Sequence, residues 1–399
     1  MTTVASAVKT LRSSDGTVIY AEAVGNPENP HVVFIHEVTL CSAVYDEVFL
    51  DRRMTDHLYL VRYDLRCHGR SGIVIPEDGQ HSLRHAEDFS TVISAFGLRN
   101  PIIVAWGFGA TVVGDICASA SHNPISGVVF IAPLLFLDPR MPRAATAQML
   151  ALMHQLRSSQ DTVISARAKT ELMNCVFTGP VRQVPGMLRS AWLGYSIAQP
   201  PEATRAILAS RHDPSGLLES GRQGLPLMLL LGSNDALVDC PAVINELRRH
   251  FNNAEAHVVE GGSHALFFDE HAEFVKLLLV FVGRLAPLQS LCFVVVVARS
   301  ASRAILVFRT HAVSLCITAL YLTHCYPLID AARTVIHAWH SGTTPPPLSD
   351  RAGCPTSDVL HDRDRSQEPP NAPTEVRQAF DLSKRVVVVM DIIIGKRSR

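Results

Sequence analysis

The sequence predicts an α/β protein with a doubly wound, mostly parallel sheet, and three observations predict it. Short apolar runs recur along the first 287 residues, and segments with helical spacing separate them. Four of the runs, VVFI, PIIVA, VVFIA and PLMLLL, are apolar at consecutive positions, as strands buried on both faces require. The apolar fraction of 47% in 399 residues is enough for a sizeable core.

Taken in order, strands are expected at Gly16 to Ala23, His31 to His36, Leu58 to Asp64, Pro101 to Ala105, Gly127 to Ala132, Leu225 to Gly232 and Ala256 to Glu260. Between Ser82 and Phe96 the apolar residues Leu83, Ala86, Phe89, Val92, Ile93 and Phe96 fall at helical spacing, and Gly97 ends the element. A second helix, Thr111 to Ser119, follows the strand PIIVA. From about Leu134 to Gly224 the strand rhythm stops and the chain reads as helices, for example Ala144 to Leu156. An insertion there, ahead of the last strands, is expected to form a helical lid, the alternative being a helical subdomain that packs elsewhere.

The domain is expected to span residues 1–287, with a poorly specified C-terminal extension over 288–399. Within that extension Thr310 to Ile329 lacks Asp, Glu, Lys and Arg and is about long enough to cross a bilayer. His311, His324, Pro327 and three threonines disfavour a membrane span there. Residues from about Gly342 to Thr374 are polar and Pro-rich and are expected to be disordered. His337 and His340 share a helical spacing and could be joined by Cys325 or His324, but no third ligand stands at a recognised spacing, so no metal site is expected.

With 36 Lys+Arg against 37 Asp+Glu and no long basic run in the domain, a nucleic-acid partner is not expected, and a small molecule is. The nine cysteines are scattered and never spaced Cys-x-x-Cys, which points to a reducing compartment. The N-terminal stretch lacks a signal-peptide core, so a cytoplasmic protein is expected.

Four motifs follow strands, where chemistry concentrates in such sheets. They are Tyr63-Asp64-Leu65-Arg66-Cys67-His68-Gly69-Arg70-Ser71-Gly72, Val104-Ala105-Trp106-Gly107-Phe108-Gly109-Ala110, Leu231-Gly232-Ser233-Asn234-Asp235 and Glu260-Gly261-Gly262-Ser263-His264. Taken alone, the His and Arg of the first motif read as solvated turn residues. Together with His36-Glu37-Val38-Thr39 after strand VVFI, the motifs resemble those of the α/β-hydrolase family over roughly residues 15–287. In that family such a turn as the first motif fixes the backbone near the site, and its histidine, here His68, is structural. The run GVVFIAP after the elbow and the segment WLGYSIAQPPEATRAIL are similar to those of small fungal members of the esterase-like or non-haem haloperoxidase-like type.

The resemblance implies a nucleophile elbow at Trp106-Gly107-Phe108, an acid at Asp235 and a base at His264, in the family's chain order. Asp138 and Asp239 are the second and third choices for the acid. The backbone amides of Val38 and Phe108 are the implied oxyanion donors, with His36, Glu37 and Trp106 as neighbours. No cofactor is implied.

Three positions depart from the pattern. Gly107 stands where the elbow has serine, Glu37 where the oxyanion loop has glycine, and Cys67 where the turn has glycine. Glycine tolerates a strained elbow, so the fold should survive, but no oxygen remains to form an acyl intermediate. No other elbow motif occurs, so a displaced nucleophile is not expected. Glu37 would bring negative charge toward the oxyanion position.

Three functions are compatible with this pattern. The first is a weakened or lost esterase in which His264 and Asp235 activate a water in the space the serine leaves. The others are a non-catalytic binder of an apolar small molecule and a cofactor-free, oxygenase-like enzyme using His264 and Asp235. Under the first, Gly107→Ser alone should create ester hydrolysis.

Overall fold

The computed structural model describes residues 6–75, 81–120, 124–135, 144–158, 161–178 and 184–285, and the backbone of four strands beyond them. The chain divides into two units, Met1–Pro287 and Leu288–Arg399.

In the first unit eight strands form one sheet: β1 (Ser6–Arg12), β2 (Val18–Val24), β3 (His31–Ile35), β4 (Tyr59–Tyr63), β5 (Ile102–Trp106), β6 (Gly127–Ile131), β7 (Leu227–Gly232) and β8 (Ala254–Val259). Their order is β1-β2-β4-β3-β5-β6-β7-β8. The β1–β2 and β2–β4 pairs are antiparallel and every other pair is parallel. Strands β4, β5, β6 and β7 are buried at every position, which accounts for their unbroken apolar runs. β1 has no counterpart among the expected strands. It lies at the sheet edge with five of seven residues exposed, so its sequence SAVKTLR carries little apolar signal.

The helices of this unit are α1 (Asp46–Leu50), α2 (Arg52–Thr55), α3 (His81–Phe96), α4 (Gly109–Ser119), α5 (Ala147–Ser158), α6 (Thr162–Val176), α7 (Gly186–Ala198), α8 (Pro201–Ala209), α9 (Ser215–Arg222), α10 (Cys240–Arg248), α11 (Leu266–Asp269) and α12 (His271–Leu285). α3 matches the expected crossover helix within a residue at its start. α4 begins at Gly109, two residues earlier than expected, because the elbow turn leads directly into it. The helical stretch between β6 and β7 holds α5 to α9. Caps mark some of its ends: Asp161 accepts hydrogen bonds from the amides of Val163 and Ile164 at the start of α6.

In the second unit the strands are β9 (Phe293–Ala298), β10 (Arg303–Arg309), β11 (Ser314–Leu320) and β12 (Arg385–Met390). β10 pairs with β11 and β12 with β9, both antiparallel. Of the uncharged run 310–329, only Ser314–Leu320 is described, and it is a strand. Residues 342–374, His324, Cys325, His337 and His340 lie outside the described residues, as does Asp138. Among the described residues no helix is long and apolar enough to cross a membrane.

Candidate active site

Parallel strands β3, β5, β6 and β7 lie side by side, so the loops leaving their C-terminal ends gather at one edge of the sheet. Ile35, the last residue of β3, pairs with Ala105 of β5, which sets the Glu37 loop against the elbow.

The elbow has the expected geometry. Gly107 has φ +49°, a left-handed conformation that glycine adopts without penalty. Its amide donates to the carbonyl of Ile131 (3.0 Å), and its carbonyl accepts from the amide of Leu134 (2.9 Å). α4 then starts beneath it at Gly109.

Asp235 and His264 are brought together as the motifs imply. Asp235 Oδ2 lies 2.9 Å from His264 Nδ1, and both side chains are fully buried. The amides of Leu237 (2.8 Å) and Val238 (3.1 Å) donate to Asp235 Oδ1 and hold the carboxylate in place. The end of β7 and the His264 loop can meet this closely because Gly232 has no side chain: a Cβ there would lie 2.2 Å from the carbonyl oxygen of Gly262. Trp106 Nε1 donates to the carbonyl of His264 (2.9 Å), fixing that loop to the elbow. Asp239, the third-choice acid, instead caps α10 by accepting from the amide of Ala242.

The space beside Gly107 is filled by the Glu37 carboxylate. An ideal Cβ on Gly107 would lie 1.3 Å from Glu37 Oε2. Oε1 of the same carboxylate accepts from the amides of Val38 (2.6 Å) and Phe108 (2.9 Å), the two implied oxyanion donors. Oε2 lies 3.2 Å from His264 Nε2. Glu37 is 1% exposed and His264 is not exposed at all. One glutamate carboxylate thus stands against the Val38 and Phe108 amides with one oxygen and beside Gly107 with the other. A carboxylate standing at the elbow from a different loop was not expected from the sequence. The signal available was the single substitution of Glu37 for glycine, and its meaning depended on where the side chain turned.

The neighbouring His36 is neutral. The Leu65 amide donates to its Nε2 (3.0 Å), its Nδ1 donates to the carbonyl of Glu37 (2.8 Å), and burial pushes its pKa down. His264 behaves oppositely. Burial alone would favour the neutral ring, but Asp235 and then Glu37 outweigh it and raise the pKa to about 10. The imidazole is therefore a cation at neutral pH, held between two carboxylates.

This predicts a titration. The folded-state pKa is raised above the unfolded value, so the stabilisation His264 contributes is fully present below about 6.5 and is lost as pH rises through about 10. Replacing Glu37 by Gln should move the midpoint of His264 downward, since one of the two carboxylates is gone. Ring-nitrogen NMR shifts followed against pH measure it, and a wild-type midpoint near 6.5 would refute the charged triad.

In the Asp64 turn Arg66 and His68 are buried, as the resemblance implies for a structural turn and unlike solvated turn residues. Arg66 is fully buried, paired at 2.7 and 2.8 Å with Asp88 of α3 and at 3.0 Å with Asp15. His68 is 2% exposed, with its ring edge-on to His36. Cys67 takes φ +62°, the conformation for which glycine is usual in this turn.

Residues with no sequence signal close the site from the inserted helices. Trp192 of α7 packs against Trp106 and Phe267, with ring centroids at 5.9 and 6.3 Å. Ser196 donates to the Thr39 hydroxyl (2.8 Å), and Gln199 Nε2 donates to the Cys67 carbonyl (2.9 Å). Beyond Phe108, Asp115 of α4 pairs with His212 at 2.7 Å, a second buried carboxylate–imidazole pair. Among the described residues no group of three or more His, Cys, Asp or Glu is placed to hold a metal ion.

Comparison with known proteins agrees with this architecture. Structures similar to the chain include a candidate aryl esterase from Burkholderia cenocepacia (24% identity, TM-score 0.61, covering 70% of this chain and 98% of that one). Two others are the esterase RhEst1 from Rhodococcus sp. ECU1013 (22%, 0.60, 70% and 99%) and a bromoperoxidase from Bacillus anthracis (20%, 0.58, 70% and 100%). At these identities the likeness is one of fold. A search of curated proteins finds no match. The model of the alpha/beta hydrolase family matches residues 32–277, and with the strand order and the Asp235–His264 placement above, the chain belongs to the α/β-hydrolase family.

Proposed function

We propose that this chain is an esterase-like α/β hydrolase, built for a small apolar ester-like ligand beneath a lid of α5 to α9, in which serine-type hydrolysis is weak or lost. The observation that carries the reading is the 1.3 Å coincidence between Glu37 Oε2 and the position of a Cβ on residue 107. Gly107 supplies no hydroxyl to attack an ester. The amides of Val38 and Phe108 already hold a negative oxygen, so a substrate oxyanion would meet filled donors and a like charge. His264, charged at neutral pH, has no free lone pair with which to take a proton.

Glu37 and Gly107 fit each other, so the two departures amount to one change: a glutamate in this position needs a residue without Cβ opposite. That complementarity, with both Glu37 oxygens partnered, also favours the second reading, a site retained for binding a small molecule.

The test is p-nitrophenyl acetate hydrolysis and labelling by a serine-directed fluorophosphonate. Wild-type protein and Gly107→Ser alone should remain silent in both, contrary to what the sequence suggests for the single change. Glu37→Gly with Gly107→Ser should empty the hole, supply the hydroxyl and raise turnover by about 10³-fold or more, the scale of restoring one triad member. Wild-type turnover equal to that of the double variant, and abolished by His264→Ala, would overturn the reading.

A further inference from the structure

We propose that the Lys169 amine captures small apolar aldehydes or ketones as an imine, with His68 as the proton relay, a function separate from the chemistry of the elbow. The inference goes beyond the esterase-like reading and does not rest on it.

Lysine is rarely buried unless a carboxylate pairs with it. Lys169 of α6 is 1% exposed, and its hydrogen bond runs to a neutral group, the carbonyl of Gln199 at the end of α7 (2.5 Å). Ala168, Leu172 and Met173 of the same helix are buried with it. Burial pushes the amine down to about 8, against the attraction of Glu202. Gln199 joins this amine to the Asp64 turn, because its Nε2 donates to the Cys67 carbonyl and its Oε1 accepts from the Thr204 hydroxyl (2.6 Å).

The residue after Cys67 completes the cluster. His68 Nδ1 donates to the carbonyl of Arg66 (2.8 Å), and burial, with His36 and the Lys169 charge, keeps the ring neutral, so Nε2 holds a lone pair. Among the described residues nothing donates to that buried nitrogen. A buried acceptor without a donor marks a place for a group that the chain does not itself supply. An amine partly free of its proton in apolar surroundings is the nucleophile that imine formation needs. An anionic ligand would hold the proton on Lys169 and meet the Nε2 lone pair, so the cluster selects an uncharged carbonyl compound.

In the first step the Nζ lone pair of the neutral amine forms the N–C bond as the carbonyl π pair moves onto oxygen. His68 Nε2 takes one proton from the nitrogen and passes it to that oxygen, which gives a carbinolamine whose hydroxyl supplies the donor Nε2 lacks. The nitrogen lone pair then forms the C=N bond and expels the hydroxyl, which leaves as water with the second nitrogen proton, again carried by Nε2. The sum is amine plus carbonyl compound giving imine and water.

The experiment treats the full chain with propanal and sodium cyanoborohydride at pH 7 and maps propylated peptides by mass spectrometry. The chain holds five lysines, Lys9, Lys169, Lys276, Lys384 and Lys396, so the other four serve as the comparison. At pH 7 the free-amine fraction of Lys169 is about 10²-fold that of an ordinary exposed lysine. Lys169 should therefore be propylated at aldehyde concentrations that leave Lys9 and Lys276 unmodified. Lys169→Met and Lys169→Arg should each lose that label and no other. His68→Gln and His68→Phe should slow the labelling of Lys169 by about 10²-fold without lowering its final extent, a split that a merely structural role would not produce. Labelling of Lys169 no faster than that of Lys276 overturns the proposal, and so does a rate that both His68 variants leave unchanged. Neither residue takes part in the ester tests, so the two sets of results stand apart.

Discussion

Gly107→Ser introduced alone is expected to destabilise the protein by about 2–4 kcal/mol, and to cost only about 1 kcal/mol when Glu37→Gly is already present. Two contributions make up the single-variant effect. A side chain at φ +49° carries the left-handed penalty, about 1–2 kcal/mol, in either background. A Cβ placed 1.3 Å from Glu37 Oε2 adds a collision that only the glutamate creates. Glu37 must therefore move aside, and in doing so it gives up contacts with the two amide donors and His264, so the cost of the collision is the cost of that displacement. The collision term should therefore appear as coupling of about 1–3 kcal/mol in a double-mutant cycle read by urea unfolding. Additivity of the two changes to within about 0.5 kcal/mol would show that Glu37 does not hold this position in solution.

The cycle also marks where the sequence stops being readable. The buried strands were legible because a strand covered on both faces has no polar side to interrupt its apolar run, as VVFI and PLMLLL show. β1 was not, since an edge strand with exposed residues has a composition like that of a loop. The order of elbow, acid and histidine located Gly107, Asp235 and His264, because each sits at a fixed offset from a strand end. The direction of the Glu37 side chain has no such offset. It follows from the neighbouring of β3 and β5 and from the empty volume at Gly107, a tertiary coincidence between residues 70 positions apart. Read singly, Glu37 and Gly107 looked like two losses. The geometry makes them complementary.

Arg66 was misread for the same reason, and its removal is the other large effect expected. As a lone arginine in a turn it suggested a solvated charge, but α3 and the loop after β1 bring Asp88 and Asp15 to it, and the guanidinium is fully buried. Arg66→Met should cost about 3–5 kcal/mol, because it leaves Asp88 buried with its main partner gone. Burial already pushes the Asp88 pKa up, against the pull of Arg66, and in the variant that push is opposed only by the Ser13 hydroxyl. Its folded-state pKa then stands above the unfolded value, so the folded variant binds the extra proton and its stability falls as pH rises above the unfolded carboxylate range. The deficit should be largest at neutral pH and shrink at about pH 5, a dependence that separates an uncompensated charge from mere loss of packing. Urea unfolding of both proteins at the two pH values measures it. A deficit below about 1 kcal/mol, or one that grows on acidification, would mean that the Arg66–Asp88 pair does not hold the Asp64 turn, and with it the Cys67 carbonyl that receives Gln199, against the core.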